Sequence, residues 1–364
     1  MTPRTPAEPP PPWRPHAFGC HSDLAARCCA PQGAVRAADG DGDLLLDACE
    51  QAIAERFAPV IYHSSDETNF PTNVDRVLAA STLYFYDDAC GPDLVSPVRA
   101  SPSQPSLLGW VIDESCGDRA RVRSDATRSQ RKQRTFFLGD LPDEQRAGSR
   151  DTREWTTYVH VYPDAIGGVT VQYWRLYAYN DAVNDHGGDW EGFHVVVDEE
   201  LRPVAVRLMG HASLEELPFD ALEREGTHVR VFSEGGGHAT RAAGTGIRAR
   251  GCEAARCVID PNDPRTFIRH ETWPGGRVTF PNGRRSAAGV LLNVGSRVKP
   301  LHGQEFVRYS GLWGSPGFLY GTSGYWGPAF NETGMRGDGF ITAWCAGMAG
   351  THLEAECYAK DVSR

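Results

Sequence analysis

The chain has 364 residues, a formal net charge of −10 at neutral pH and a hydrophobic content of 40%. It is long enough to bury a core in one large domain or in two ordinary ones. Its negative charge excludes a generic binder of nucleic acid or of anionic membranes. The 39 Gly and 25 Pro suit a loop-rich protein that is built mainly from β-strands.

The N-terminal residues 1–38 are rich in Pro and then in Cys and Ala, which predicts a tail. Residues 1–20 contain no apolar region that would mark a signal peptide. No stretch of the chain approaches the ~18 apolar residues of a membrane-spanning helix, so no transmembrane segment is expected.

The chain has ten cysteines, an even number that favours disulfides and an oxidising compartment. We therefore expect a secreted or cell-surface protein. A zinc site is the weaker alternative, because Cys252 and Cys257 have no second cysteine pair nearby. The pairs expected from sequence proximity are Cys90–Cys116, Cys252–Cys257 and Cys345–Cys357. The last pair would pin a C-terminal tail over residues 336–364.

The linker 39–51 carries an acidic pattern typical of a calcium loop. Carboxylates occupy positions 1, 3, 5, 9 and 12 of an EF-hand-like loop, at Asp39, Asp41, Asp43, Asp47 and Glu50. Leu44 stands where such loops carry glycine, which strains the turn. The stretch also resembles the Asp-rich calcium repeats of thrombospondin type 3. The alternative is a solvated acidic linker that caps the next helix; we expect structural calcium.

The first elements of the main domain follow this linker. A helix is expected over residues 44–57, ended by Pro59, and a strand begins at Val60. The side chains of His63, Asp66 and Glu67 form a small separate cluster that is expected to cap a turn.

Two further strands, over residues 169–179 and 191–197, are rich in aromatic and β-branched residues. A loop rich in Asn, Asp and Gly joins them. Because side chains alternate along a strand, Asp189 and Glu191 share one face and His194 takes the other.

One imidazole and two carboxylates meet at the start of the second of these strands. His186 precedes Asp189 by three residues and Glu191 follows it by two. This oxygen-rich set suits a hard divalent cation such as Ca²⁺ or Mg²⁺, and one imidazole does not exclude it. The alternative is that these acids cap turns or pair with an arginine.

Six segments together resemble the vacuolar protein sorting-associated protein 62 family, in order and over about residues 52–330. They are residues 56–71, 173–180, 185–191, 231–239, 306–314 and 327–330. The resemblance implies one domain over residues 52–335, a mainly β, antiparallel β-sandwich with long inserted loops and few short helices. It also makes His211 and His238 candidates for the pocket of His186. The family's biochemical activity is poorly defined, so the resemblance implies a fold and a site rather than a reaction.

The His-x-x-Asp-x-Glu pattern is also similar to the metal-binding core of the necrosis-inducing phytotoxin family. Those proteins are β-sandwich cytolysins whose cation helps them to engage membrane sphingolipids. Their motif follows a further acidic ligand, for which Asp181 is the nearest candidate here. Two glycines replace the basic and His residues that precede the Asp of the phytotoxin motif.

The expected function is cation-dependent binding of a lipid or glycan surface outside the cytoplasm. A metal-dependent hydrolase that uses the pocket of His186, Asp189 and Glu191 is the alternative. The chain contains no Gly-x-Ser-x-Gly elbow, no His-Glu-x-x-His and no phosphate-binding Gly-Lys-Ser/Thr loop, so no catalytic residue is identified and its status as an enzyme stays open. Aromatic residues of the 312–330 segment would contact the ligand if exposed, and would fill the core otherwise.

Overall fold

The computed structural model describes residues 39–41, 43, 45–87, 95–112, 121–125, 134–163, 168–182, 185–210, 213–242, 259–297, 299–317 and 324–330. The helices in this part of the chain are short, namely α1 (Asp47–Phe57), α2 (Val74–Ala80) and α3 (Asp143–Arg146). Single turns of 3₁₀ helix lie at Pro105–Leu107, Thr152–Glu154, Phe219–Ala221, Pro264–Thr266, Glu305–Arg308 and Pro328–Phe330. None of the described helices is long and apolar enough to cross a membrane.

Strands dominate the described residues, which confirms the expected mainly β class. The first ten are β1 (Val60–Ser64), β2 (Pro71–Thr72), β3 (Thr82–Asp87), β4 (Val95–Ala100), β5 (Val111–Ile112), β6 (Val122–Arg123), β7 (Arg134–Gly139), β8 (Thr157–Pro163), β9 (Val169–Asn180) and β10 (His186–Val197). The others are β11 (Pro203–Gly210), β12 (Ser213–Pro218), β13 (Arg224–Glu225), β14 (His228–Ser233), β15 (Thr240–Arg241), β16 (Phe267–Glu271), β17 (Arg277–Thr279), β18 (Arg285–Ala287) and β19 (Leu291–Asn293).

Two sheets, each of seven described strands, form the body of the molecule. One runs in the order β13-β14-β1-β16-β17-β18, with β15 beside β14. The other runs in the order β12-β11-β10-β9-β8-β19, with β2 beside β9. The neighbours are antiparallel except for β1 with β14 and β8 with β19, which are parallel. Strands that are far apart in the sequence therefore pair at the centre of the first sheet and at one edge of the second.

The two sheets face each other across an apolar core, as a β-sandwich requires. Ile61 and Val231 of the first sheet share this core with Val171 and Phe193 of the second and with Phe57 of α1. Tyr173 stacks on Phe193 across the β9–β10 pair, with ring centroids 5.0 Å apart. The sandwich core thus also fixes α1, whose first residues are the last ones of the acidic linker.

A third layer covers the outer face of β9 and β10. Trp174 and Trp190 point away from the sandwich core and join a second apolar cluster with Phe136 of β7, Phe306 and Trp313. This layer contains α2 and the three-stranded sheet β4-β3-β7. Both faces of β9 are therefore buried, which accounts for its nearly unbroken run of aromatic and aliphatic residues.

The observed elements agree with those predicted along the chain, with shifts at their ends. Helix α1 begins at Asp47 rather than residue 44, and β10 begins at His186 rather than residue 191. The early start of β10 shortens the predicted loop, because His186 already pairs with Asn180. Cys49 is disulfide-bonded and is the only cysteine among the described residues. The predicted pairs, the tail 1–38 and the tail 336–364 lie outside the described residues.

Candidate functional site

Five ionisable side chains converge at the end of the sandwich where β10 begins, and we name them the central cluster. They are Glu67, His186, Asp189, Glu191 and His238, all of them buried. Three come from β10, Glu67 from the turn after β1, and His238 from the turn between β14 and β15. Strands from both sheets thus build the cluster, and β10 presents Asp189 and Glu191 on its inner face, as alternation predicts.

His238 is the centre of this cluster. Its Nδ1 lies 2.8 Å from Asp189 Oδ2, and its Nε2 lies 3.7 Å from Glu67 Oε1. The His238 backbone has a φ of 55°, the left-handed region, and its N–H donates to the Glu234 carbonyl over 2.7 Å. A tight turn thus holds the imidazole between two carboxylates.

The Glu67 carboxylate is fixed by backbone amides on both oxygens. Oε1 accepts from the N–H groups of Thr68 and Asn69, at 2.9 and 2.8 Å. Oε2 accepts from the N–H of Gly236 over 3.0 Å, which joins the turn after β1 to the turn after β14. Glu67 therefore caps a turn, as predicted, but it also belongs to the central cluster instead of to a separate one.

Opposing effects of burial and partners set the charges of this cluster. Burial favours the neutral form of His238, but the carboxylates of Asp189 and Glu67 outweigh it and raise the pKa of His238 to about 9. Burial favours the neutral acid for Asp189 and Glu67 too, yet hydrogen bonds and charges of their partners lower the pKa of both. The cluster therefore contains an imidazolium between two carboxylates.

The pKa of Glu191 is shifted in the opposite direction. Burial, and next the charge of Asp189, raise its pKa well above the usual range, although Arg175 opposes them. Arg175 lies opposite Glu191 on β9 and donates from Nη2 to Thr240 Oγ1 over 2.8 Å. Its buried Nη1 has no hydrogen-bond partner within the described part of the chain. The three carboxyl groups of Glu67, Asp189 and Glu191 therefore outnumber the cationic side chains of His238 and Arg175 by one.

Two further histidines lie deeper, between the sheets. The rings of His63 and His270 stack with centroids 6.0 Å apart, and Trp155 contacts both. All four ring nitrogens are buried without a hydrogen-bond partner among the described residues. Burial lowers the pKa of His63 well below its usual range and that of His270 to about 3, so both are neutral.

The predicted ligands of the metal site are only partly brought together. His186 Nε2 lies 3.5 Å from Asp189 Oδ1, whereas Asp181 is exposed and contributes its backbone N–H to the Gly236 carbonyl. His211 lies outside the described residues. His194 faces away from the cluster towards Trp174, as alternation predicts. The central cluster is thus preorganised around His238, a residue that the strand motif alone did not include.

Close backbone packing explains the two glycines that precede Asp189. A Cβ on Gly188 would lie 2.1 Å from the Trp313 carbonyl oxygen, and Gly188 has a φ of +64°. A Cβ on Gly187 would lie 3.3 Å from Gly314. A side chain at Gly188 would therefore clash with the segment around Trp313, whereas one at Gly187 would need that segment to move by only a small distance.

The aromatic side chains that the structure describes in the 312–330 segment are buried or half-buried. Trp313 is buried in the third layer, and Tyr325 and Trp326 are half-buried. Tyr325 lies over His186, with ring centroids 4.6 Å apart. Among the described residues, the exposed large apolar side chains are Val204 and Val290. In the described part of the chain, this end of the sandwich thus presents polar groups and a tyrosine above the central cluster.

A second group of acids lies in the linker, and we name Asp39, Asp41, Asp43, Asp47 and Glu50 the acidic loop. Possible ligand atoms of Asp39, Asp41 and Asp43 lie within 4.8 Å of one another, as do those of Asp41, Asp47 and Glu50. These two sets are the only ones this close that the described residues form from three or more His, Cys, Asp or Glu. Burial raises the pKa of Asp41 to about 7, and it also raises the pKa of Asp43 and Glu50.

Comparisons with known proteins give only remote likenesses. No family model matches the chain, and no curated protein matches it either. Among solved structures, NLPPya in complex with glucosamine is 12% identical, covering 70% of this chain and 76% of its own, with a TM-score of 0.32. A toxin-fold protein of microbial attack and plant defense is 14% identical, covering 54% and 70%, with a TM-score of 0.30.

The Necrosis and Ethylene inducing Protein 2 from the agent of cocoa's Witches Broom disease is also similar. It is 12% identical, covering 54% of this chain and 80% of its own, with a TM-score of 0.24. These structures belong to the necrosis-inducing type to which the His-x-x-Asp-x-Glu motif is similar, but TM-scores this low assign no function. None of the comparisons supports the resemblance to the vacuolar protein sorting-associated protein 62 family, which stays a prediction.

Proposed function

We propose that the chain is a cation-dependent glycan-binding protein whose ligand binds above the central cluster. One observation carries this proposal. Glu67, Asp189 and Glu191 are buried together, and among the described residues Arg175 is the permanent cation that acts on Glu191. Buried carboxylates in excess of their partners are costly unless a cation or proton neutralises them.

A divalent cation at Asp189, Glu191 and His186 would remove this excess. Asp189 and His186 already lie within 3.5 Å, and no hydrogen bond from a described residue holds Glu191, whose carboxylate is therefore available to turn towards an ion. His238 and Glu67 would then position Asp189 from behind, because His238 is fully buried and stacked under Tyr177. Such outer partners commonly orient metal ligands.

The surface over the cluster favours a glycan over a lipid bilayer. Sugars bind where half-buried aromatic rings lie beside polar groups, and Tyr325 over His186, which lies 3.5 Å from Asp189, offers this combination. Insertion into a membrane needs an exposed apolar patch, whereas the exposed large apolar residues of the described chain are only Val204 and Val290. A hydrolase is less well supported, because His238 is too deeply buried to reach a substrate.

Calorimetric titration tests the proposal. The metal-free chain is titrated with CaCl₂ or MgCl₂, and then with glucosamine and mannosamine, the sugars bound in the NLPPya structures. Glu191→Gln keeps the contact between Asp189 and His238, so it should fold normally and bind sugar more weakly by roughly tenfold or more. Asp143→Asn, at a side chain that is 87% exposed, is the matched control.

Sugar binding that is unchanged in EDTA would contradict the cation dependence. Binding to liposomes without binding to sugars would favour the lipid alternative instead. Turnover of a glycoside or phosphate ester that Glu191→Gln abolishes would establish the hydrolase.

A further inference from the structure

In the acidic loop, each of the three buried carboxylates accepts hydrogen bonds from described residues through only one of its two oxygens. Asp41 Oδ1 accepts from the N–H of Asp43, and Asp43 Oδ1 accepts from the N–H of Leu45, over 3.3 and 2.8 Å. Glu50 Oε2 accepts from Asn293 Nδ2 over 2.9 Å. The fold thus orients three carboxylates at once.

The second oxygens of these carboxylates accept no hydrogen bond within the described part of the chain. Asp41 Oδ2, Asp43 Oδ2 and Glu50 Oε1 are buried and accept no hydrogen bond from the described residues. The three residues are only 2%, 7% and 0% exposed. An unsatisfied buried oxygen is costly, and here three of them lie in one loop of twelve residues. A cation bound between these three oxygens would satisfy all of them.

Helix capping does not account for these acids. The N-cap residue of α1, Leu46, makes no side-chain hydrogen bond to the helix. Asp47 Oδ1 instead accepts from the N–H of Gly40 over 2.7 Å, which folds the loop back on itself. Lys299 is the cationic side chain that acts on Asp41, and it forms no ion pair with the loop within the described residues.

We propose that the acidic loop binds one Ca²⁺ through Asp39, Asp41, Asp43, Asp47 and Glu50. The ion would receive only oxygen ligands, with a glutamate in the last position, as calcium prefers. Glu50 is tied to Asn293 of β19, and the Asp41 side chain packs against Gly295, where a Cβ would lie 3.1 Å from Asp41 Cβ. Bound calcium therefore fastens the start of α1 to the edge of the second sheet.

Thermal unfolding of the full chain in EDTA and in excess CaCl₂ tests this site. The wild type should gain several degrees of Tm from calcium, because the ion binds the folded state alone. Asp41→Asn should lose most of that gain and lower the calcium affinity, measured by calorimetry, by roughly tenfold or more. In EDTA the same variant should be at least as stable as the wild type, because it removes one repelling carboxylate.

Two further variants make the outcome specific. Glu191→Gln should keep the calcium-dependent gain in Tm, so that this site and the central cluster fail or succeed separately. Asp143→Asn should behave as the wild type. The proposal is overturned if calcium leaves the Tm of the folded wild type unchanged, or if Asp41→Asn keeps the full gain. A gain that Glu191→Gln alone removes would assign the ion to the central cluster instead.

Discussion

The imidazole of His238 lies flat on the ring of Tyr177, with centroids 3.8 Å apart and planes inclined by only 5°. His238 is charged near neutral pH, since its pKa is raised to about 9. A protonated ring over a tyrosine face is a cation–π contact that adds to the ion pairs with Asp189 and Glu67. Tyr177 itself is fixed by its hydroxyl, which lies 3.2 Å from Ser233 Oγ.

The first prediction concerns this stack. Tyr177→Leu should lower the pKa of His238, because the π face that favours the charged ring is lost. Tyr177→Phe is the matched control, since it keeps the ring and should leave the pKa near that of the wild type. Titration of the imidazole signals by NMR between pH 6 and 10 measures both. Equal His238 pKa values in the two variants would rule out the contribution of the ring.

The second prediction is a pH dependence of stability. The pKa of His238 rises from 6.5 when unfolded to about 9 when folded, so the folded chain binds this proton more tightly. The resulting stability is complete below pH 6.5 and is lost as the pH rises through about 9. His238→Gln should flatten this part of the profile, as urea unfolding at several pH values will show.

The same variant should also destabilise the chain at neutral pH. Removing the imidazolium leaves Asp189 and Glu67 buried with less compensation, which costs about 3–5 kcal/mol when a buried pair is broken. A loss below about 1 kcal/mol would mean that water already hydrates the two carboxylates, or that a cation neutralises them.

The third prediction separates backbone strain from packing at the start of β10. Gly188→Ala should destabilise the chain strongly, by about 2–4 kcal/mol, because the new methyl group would meet the Trp313 carbonyl in addition to the strain of a positive φ. Gly226→Ala is the control, since its φ is +66° but nothing lies within 4 Å of its Cβ. That variant should lose only about 1 kcal/mol. Equal losses would show that the contact with Trp313 contributes nothing.

The fourth prediction concerns Asn293, which orients Glu50 without being a ligand of the proposed calcium ion. Asn293→Ala should weaken calcium binding by roughly tenfold, as the loss of outer partners does in other metal sites. Asn293→Asp should lose less affinity than Asn293→Ala, because its added carboxylate cannot hold Glu50 but attracts the calcium ion. Calorimetric titration of both variants with the same series of calcium concentrations compares their affinities. An unchanged affinity in Asn293→Ala would remove Glu50 from the ligand set.

Local patterns predicted the β9–β10 pair well, because alternation and aromatic content are properties of neighbouring residues. The faces of Asp189, Glu191 and His194 followed directly from period two. His238 was a candidate only through a family resemblance, and Arg175 and His270 were not identified at all. Their positions depend on which strands pair within each sheet and on how the two sheets pack together. No local spacing in the sequence contains that information.

The acidic loop shows the opposite case. All its acids follow one another within twelve residues, so spacing alone brought them together in the prediction. What the spacing could not show was burial. The contacts of Glu50 with Asn293 and of Asp41 near Gly295 join residues more than 240 positions apart. Burial is what distinguishes a loop that needs a cation from a solvated acidic linker.

The position of β1 between β14 and β16 has a consequence for how the chain folds. Val60 pairs with Arg230 on one side and with Glu271 on the other. The fully buried β1 can therefore form its pairs only after these distant parts of the chain have been synthesised. Contacts of such large sequence separation slow folding. During synthesis on the ribosome the apolar β1 would remain exposed until more than two thirds of the chain has emerged. The nascent protein is therefore expected to depend on chaperones until its central strand is enclosed.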